Sequence, residues 1–235
     1  MVKSASALCE LNLELMRCGR FKLGIKNHRV LQVNPLTGVY TFQVPAKAAN
    51  LVCEFVTNPA NRSIPNGHLV LQGRAFPGYD GYIGTEALHH DGRLQSSFTS
   101  AIGKDFIPMA VEAVPGLLDI VVHVCRELGA RQKNVHIIHF LLQANPISVF
   151  SWHDDAFDLR MPRRMVTAIV SLNEVPSCME VWGFQPAWFT GQGSAVAFPG
   201  GARHRSVRGE FASEVNNDVT ARSNGPVKLA IFFTP

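Results

Sequence analysis

Apolar positions change their spacing about halfway along the chain. Over residues 5–17, Leu8, Leu11 and Leu15, with Leu13 and Met16, recur at helical spacing, and the pattern stops at Gly19. Residues 30–33 (VLQV) and 38–44 (GVYTFQV), separated by Asn34-Pro35-Leu36-Thr37, read as the arms of a hairpin. Residues 105–128 are again helical, in two pieces broken near Pro115-Gly116, because proline lacks a backbone donor and crowds the preceding turn. Gly129 is placed to cap the second piece.

From residue 135 the pattern becomes short apolar runs: 135–143, 147–152, 165–172, 179–184, 194–198 and 227–233. Asn145-Pro146, Pro162, Pro176, Pro186, Gly191, Gly193, Pro199-Gly200-Gly201 and Gly225-Pro226 punctuate them. Many short strands with regular turns predict a sandwich or jelly roll. The expected class is α+β, a jelly-roll core with N-terminal helices buttressing one sheet. No repeat, low-complexity tract or Ser/Gly linker divides the chain, so one domain over 1–235 is expected. Residues 1–134 would supply helices, hairpin and a lid, and 135–235 the core.

Composition narrows the class. With 46% hydrophobic and 17% charged residues, the chain is neither disordered nor collagen-like. No apolar run approaches the ~18 residues that span a bilayer, and the first twenty residues lack the apolar stretch of a secretory signal. Cys9, Cys18, Cys53, Cys125 and Cys178 are odd in number and scattered without a CxxC pair. That argues against a disulfide framework or a Cys-rich zinc site and suits a reducing, intracellular setting, the nucleus included. The net charge of +4 permits a polyanionic partner without demanding one.

The sharpest chemical feature is Trp152-His153-Asp154-Asp155-Ala156-Phe157-Asp158, directly after an apolar run. On an extended strand, residues two apart project to one side, so His153 and Asp155 would point together into a barrel mouth. His204, in AFPGGARHRSV, follows another strand far enough along for the chain to return to the same place. Two histidines and a carboxylate on one face form the facial triad of non-haem Fe(II), with positions left for cosubstrate and oxygen. The same three ligands can also hold a catalytic zinc, or a structural ion in a non-catalytic jelly-roll module. Lys228 lies within the apolar run 227–233, where a charge is costly unless paired. Inside a barrel its partner would be the distal carboxylate of a 2-oxo acid; Arg222 is the rival anchor. The remaining histidines add nothing to the triad. His136 and His139 have opposite parity, so at most one faces inward.

HxD, a distal His and a basic residue on the last strand resemble the Fe(II)/2-oxoglutarate-dependent oxygenases, whose core is a double-stranded β-helix. The fuller pattern is FSWHDDAFD, MVTAIVSLN, GSAVAFPGGARHRSV and KLAIFF, and it is most similar to the TET/JBP branch, which oxidises 5-methylpyrimidines in nucleic acid. The similarity covers roughly 135–235. It implies iron held by His153, Asp155 and His204, with the cosubstrate carboxylate at Lys228, where the branch usually has Arg. An ascorbate-using algal group in that branch carries a further Asp three after the metal Asp, the place of Asp158 here. Asp158 is thereby implied to orient substrate or cosubstrate, which would be 2-oxoglutarate or ascorbate.

On the substrate side, the glycine-rich segment 73–84 carries Arg74, Phe76, Tyr79 and Tyr82, which could stack on an extruded base. Arg160, Arg163, Arg164, Arg203, Arg205 and Arg208 crowd the metal motifs and offer phosphate contacts. The expected substrate is 5-methylcytosine in DNA; a protein side chain or small metabolite is the alternative.

Overall fold

The computed structural model describes residues 36–63, 68–77, 98–142, 152–158, 161, 164–208 and 226–235. All of them lie in one compact unit, Val33–Pro235. The expected helix over 5–17 and the hairpin arm over 30–33 lie outside the described residues.

Among the described residues, eleven strands build three sheets. Their ranges are β1 (Tyr40–Gln43), β2 (Leu69–Leu71), β3 (Arg74–Phe76), β4 (Phe98–Gly103), β5 (Val135–Leu142), β6 (Val166–Ser171), β7 (Ser177–Val181), β8 (Ala187–Phe189), β9 (Ser194–Pro199), β10 (His204–Arg208) and β11 (Val227–Phe233). A six-stranded sheet runs β1-β9-β6-β11-β5-β4, a three-stranded sheet runs β10-β7-β8, and β2-β3 is a hairpin. Every described pairing is antiparallel. From β5 on, the chain passes back and forth between the two larger sheets, which is the winding of a double-stranded β-helix. The expected α+β jelly-roll class is observed.

The alternation along β11 explains why its sequence is one unbroken apolar run. Val227, Leu229, Ile231 and Phe233 join a core beneath the helices, whereas Ala230 and Phe232 face the barrel interior. A strand buried on both faces needs no polar side. The interior core draws Ile137, Leu141, Ile169, Val196 and Phe198 from the large sheet and Met179, Val181, Ala187 and Phe189 from the small one.

Four helices complete the described unit: α1 (Ala46–Thr57), α2 (Ile107–Ala113), α3 (Leu117–Glu127) and α4 (Asp155–Asp158). The two pieces expected over 105–128 are α2 and α3, and Gly129 stands just past the second with φ +65°. α1 buries Ala48, Ala49, Val52 and Val56, one stripe of a helical wheel. It contacts α3, which contributes Leu117, Ile120, Val121 and Val124.

The α2–α3 break is where α1 comes closest. Gly116 has φ +81°, and a Cβ there would stand 2.6 Å from the Ala48 carbonyl oxygen. Both the left-handed backbone and the backbone-on-backbone approach exclude other side chains. Gly116→Ala is expected to lower stability by about 2 kcal/mol or more, read as a lower denaturant midpoint at unchanged slope. Wild-type stability in this variant would show that α1 can move aside freely.

Candidate metal centre

His153 and His204 meet through a pair of reciprocal backbone bonds. The His153 amide donates to the His204 carbonyl at 3.0 Å, and the His204 amide to the His153 carbonyl at 2.9 Å. This two-residue bridge fixes the HxD segment to the edge of the small sheet at β10. Asp155 does not continue an extended strand, as the spacing argument assumed. It opens the short helical turn α4, whose Ala156 amide donates to the Gly200 carbonyl at 3.0 Å. The bend brings the carboxylate to the histidines by a different route from period-two alternation.

The three side chains are buried, and their candidate ligand atoms lie within 4.8 Å of one another. His204 Nε2 is 3.3 Å from Asp155 Oδ2, and His153 Nε2 is 3.6 Å from Asp155 Oδ1. The imidazole ring centres are 4.2 Å apart. His204 Nδ1 lies 2.9 Å from the Ala202 carbonyl oxygen. A carbonyl only accepts, so Nδ1 carries the proton and donates, and in the neutral ring Nε2 is left with a lone pair. Burial holds His204 below its ordinary value despite the nearby Asp155, so the neutral ring is the relevant form. Thr167 Oγ1 donates to Asp155 Oδ2 at 2.7 Å.

Burial alone would raise the Asp155 carboxyl. The histidines and the Thr167 hydroxyl outweigh it and hold the group below the usual carboxylate range. The buried Asp155 carboxylate is thus balanced either by a proton on an adjoining ring or by a bound cation, and the three donors converge on one point. An octahedral ion with bonds of about 2.1 Å separates adjacent ligand atoms by about 3 Å, near the two distances above. The donor set fits ferrous iron, with Ala202 and Thr167 as the groups that orient its ligands.

Two more polar side chains stand inside the barrel. Lys228 is 2% exposed; its Nζ donates to Ser206 Oγ at 2.5 Å and lies 4.9 Å from the centre of the Phe189 ring. Burial pushes its ammonium down to about 7, with Cys178 acting the other way. His139, opposite Ala230 of β11, is fully buried and pushed down to about 4 by burial, against an opposing pull from Asp155. His136 has the other parity and lies within 3.1 Å of Thr234 Oγ1. The sequence reading narrowed the two to one inward ring without selecting it. Thr167 and Ser206 carried no signal in the sequence: each is an ordinary small polar residue until the sheets close.

The expectation for two residues of the 73–84 segment needs correction. Arg74 and Phe76 are not loop residues but form β3, joined to β2 through Gln72-Gly73, both at positive φ. Phe76 is buried in the helix-side core and packs edge-on against Phe106 at 5.7 Å, so its ring has no face free for a base. Arg74 lies over the Phe106 ring at 3.9 Å. Arg205 is also partly committed, since its Nε donates to Glu180 Oε2 at 2.5 Å across the β7–β10 pair. Tyr79, Tyr82, Arg222, Arg160 and Arg163 lie outside the described residues, as do the side chains of Asp158 and Arg208. Among the described residues no helix is long and apolar enough to cross a membrane.

No family model matches the chain, and no curated protein does. Solved structures do. A prolyl hydroxylase from Trichoplax adhaerens, in complex with a hypoxia-inducible factor oxygen degradation domain peptide fragment, aligns over 99% of this chain and 94% of its own at 11% identity and TM-score 0.51. A Pseudomonas putida prolyl-4-hydroxylase aligns over 84% and 93% at 15% identity and TM-score 0.46. A 2OG-Fe(II) oxygenase-family oxidoreductase from Burkholderia pseudomallei aligns over 67% and 82% at 13% identity and TM-score 0.38. The described residues have the jelly-roll fold seen in the Trichoplax enzyme.

Proposed function

We propose that this chain is an Fe(II)- and 2-oxoglutarate-dependent dioxygenase whose substrate is the methyl group of a 5-methylpyrimidine in DNA. The observation that carries the first half is the convergence of His153, Asp155 and His204, all buried, with ligand atoms within 4.8 Å of one another. Iron held by His153, Asp155 and His204 supplies open positions for oxygen and a 2-oxo acid, and with them the power to oxidise a C–H bond. The protein's part is to hold and orient. The Ala202 carbonyl locks the His204 tautomer, and Thr167 fixes one Asp155 oxygen. Lys228 and Ser206 offer an ammonium and a hydroxyl to the distal carboxylate of the cosubstrate. Phe189, Met179 and Phe232 keep water from that end of the barrel. A buried cation favours the dicarboxylate 2-oxoglutarate over ascorbate. Asp158, at the end of α4, is assigned to orient the substrate.

The nucleic-acid half rests on the resemblance of the metal motifs to the TET/JBP branch and on exposed guanidinium groups such as Arg203 beside the site. Such a substrate would place the enzyme inside the cell, in the nucleus. One observation favours a protein or metabolite substrate instead: Arg205 is already paired with Glu180, which leaves less positive charge for phosphate.

The deciding experiment incubates anaerobically prepared protein with methylated DNA, Fe(II) and either 2-oxoglutarate or ascorbate, followed by nucleoside mass spectrometry. Loss of 5-methylcytosine that requires iron and 2-oxoglutarate is the expected result. Stoichiometric zinc with hydrolytic activity would reject the oxygenase, and 2-oxoglutarate turnover that methylated DNA leaves unchanged would move the substrate to the second class.

A further inference from the structure

The small sheet turns one face into the barrel and the other outward. Cys178 and Glu180 of β7 point away from the interior, Arg205 stands opposite Glu180, and Trp188 stands opposite Cys178. Trp182 follows at the same parity and meets Trp152 edge to face, with ring centres 5.5 Å apart. The Arg205 guanidinium lies 4.9 Å over the Trp152 ring. The chain has three tryptophans, and all three belong to this group. Trp182 is 67% exposed, Trp188 46% and Phe184 42%. Trp188 lies on β8, and Trp182 and Phe184 lie in the turn that follows β7; large rings left this open mark a contact surface rather than a core.

Its position ties it to the metal centre. Trp152 immediately precedes His153, Arg205 immediately follows His204, and the Trp182 amide donates to the Arg203 carbonyl at 2.8 Å. The rings and the metal-site histidines thus lie on opposite faces of the small sheet and adjoin at its β10 edge, where His153 pairs with His204.

We infer that this outer face is a stacking platform for unpaired nucleotides flanking the base that reacts. The Trp182 ring takes a base, and Arg203 and Arg205 take the adjoining phosphates. Aromatic faces hold bases of any sequence, and guanidinium groups hold the backbone, which is how single strands are bound. Charge complementarity selects this occupant. Arg203 is exposed and supplies the positive charge, Arg205 is balanced by Glu180 through Nε and adds only its terminal amino groups as donors, and the chain carries a net +4. A proline-rich peptide would use the rings but leave the two guanidinium groups without a counterpart. The inference rests on the proposed nucleic-acid substrate and moves the stacking role from segment 73–84 to the small sheet.

Because every tryptophan lies here, intrinsic fluorescence reports this face. Full-length protein is titrated with a single-stranded oligodeoxynucleotide of twelve nucleotides, with and without one 5-methylcytosine. Saturable quenching that weakens steeply with salt and ignores the methyl group is expected. Trp182→Ala should weaken binding about 5- to 150-fold, the range for one stacked base, and Trp182→Phe should recover most of it. In turnover, the alanine variant should raise KM for the oligonucleotide with kcat kept. Circular dichroism checks that the fold is intact, and Trp188→Ala serves as a second probe of the same face. Unchanged affinity in both alanine variants, or quenching by a proline-rich peptide and not by the oligonucleotide, would overturn the platform. Binding through Trp182 without oxidation of any nucleoside would leave the platform standing and remove the substrate reading. Oxidation at unchanged KM in Trp182→Ala would do the reverse.

Discussion

His204→Ala is expected to abolish metal binding and turnover while leaving the metal-free protein folded, at some cost in stability from the cavity left by the buried ring. The variant removes one of the three convergent donors, His204 Nε2, which lies 3.3 Å from Asp155 Oδ2. Substitution of groups that merely orient ligands costs about 10- to 100-fold in affinity or activity, and loss of a ligand itself should exceed ~100-fold. Thermal unfolding supplies a second readout. Ferrous iron at a hundred times its Kd should stabilise the wild type by about 2.7 kcal/mol and the variant not at all. A variant that retained stoichiometric iron and full activity would show that the ligand set has been misassigned.

The second large effect belongs to Lys228. Lys228→Met keeps the stem's volume and removes the buried charge. A hydrogen bond to a charged group is worth about 1.5–3 kcal/mol, so KM for 2-oxoglutarate should rise roughly 10- to 150-fold. The pH dependence gives a finer test. Burial lowers the Lys228 ammonium to about 7, below the ordinary value of an unfolded chain. Between those two values the unfolded chain binds more protons than the folded one, so the stability of the cosubstrate-free protein rises with pH above about 7. Below that, both states are protonated and the burial cost of the charge is carried in full. The methionine variant should lose this rise. In the wild type a dicarboxylate must bind the ammonium form, so binding above pH 7 takes up a proton and KM increases with pH. A KM for 2-oxoglutarate unchanged by the substitution would transfer the anchor to another cation such as Arg222.

The large-sheet strands of the second half were legible because both of their faces are buried, which writes apolar runs directly into the sequence. β11 and β9 fall on the runs read at 227–233 and 194–198. α1 was missed for the converse reason. Its buried stripe is built partly of Ala48 and Ala49, it follows Pro45, and no side chain caps its start. β2, β3 and β4 are short or carry Thr and Ser among their apolar residues, and only pairing reveals them. At the site, HxD and a distal histidine could be found by residue type. The fold's own contributions could not: the helical bend at Asp155, the Ala202 carbonyl behind His204, the Thr167 hydroxyl and the inward ring of His139. The glycine-rich stretch misled because glycine and aromatics together read as a mobile loop. In the structure Gly73 makes a tight hairpin turn and Phe76 fills the core.

β11 comes after every other strand in the sequence, yet it lies between β6 and β5 in the large sheet. Its two neighbours are made earlier and keep an open edge each until β11 emerges. Barrel closure, and with it the arrival of Lys228, is therefore a late event in biosynthesis. In that interval the exposed edges of β5 and β6 are the stretches at which newly made chains would associate with one another.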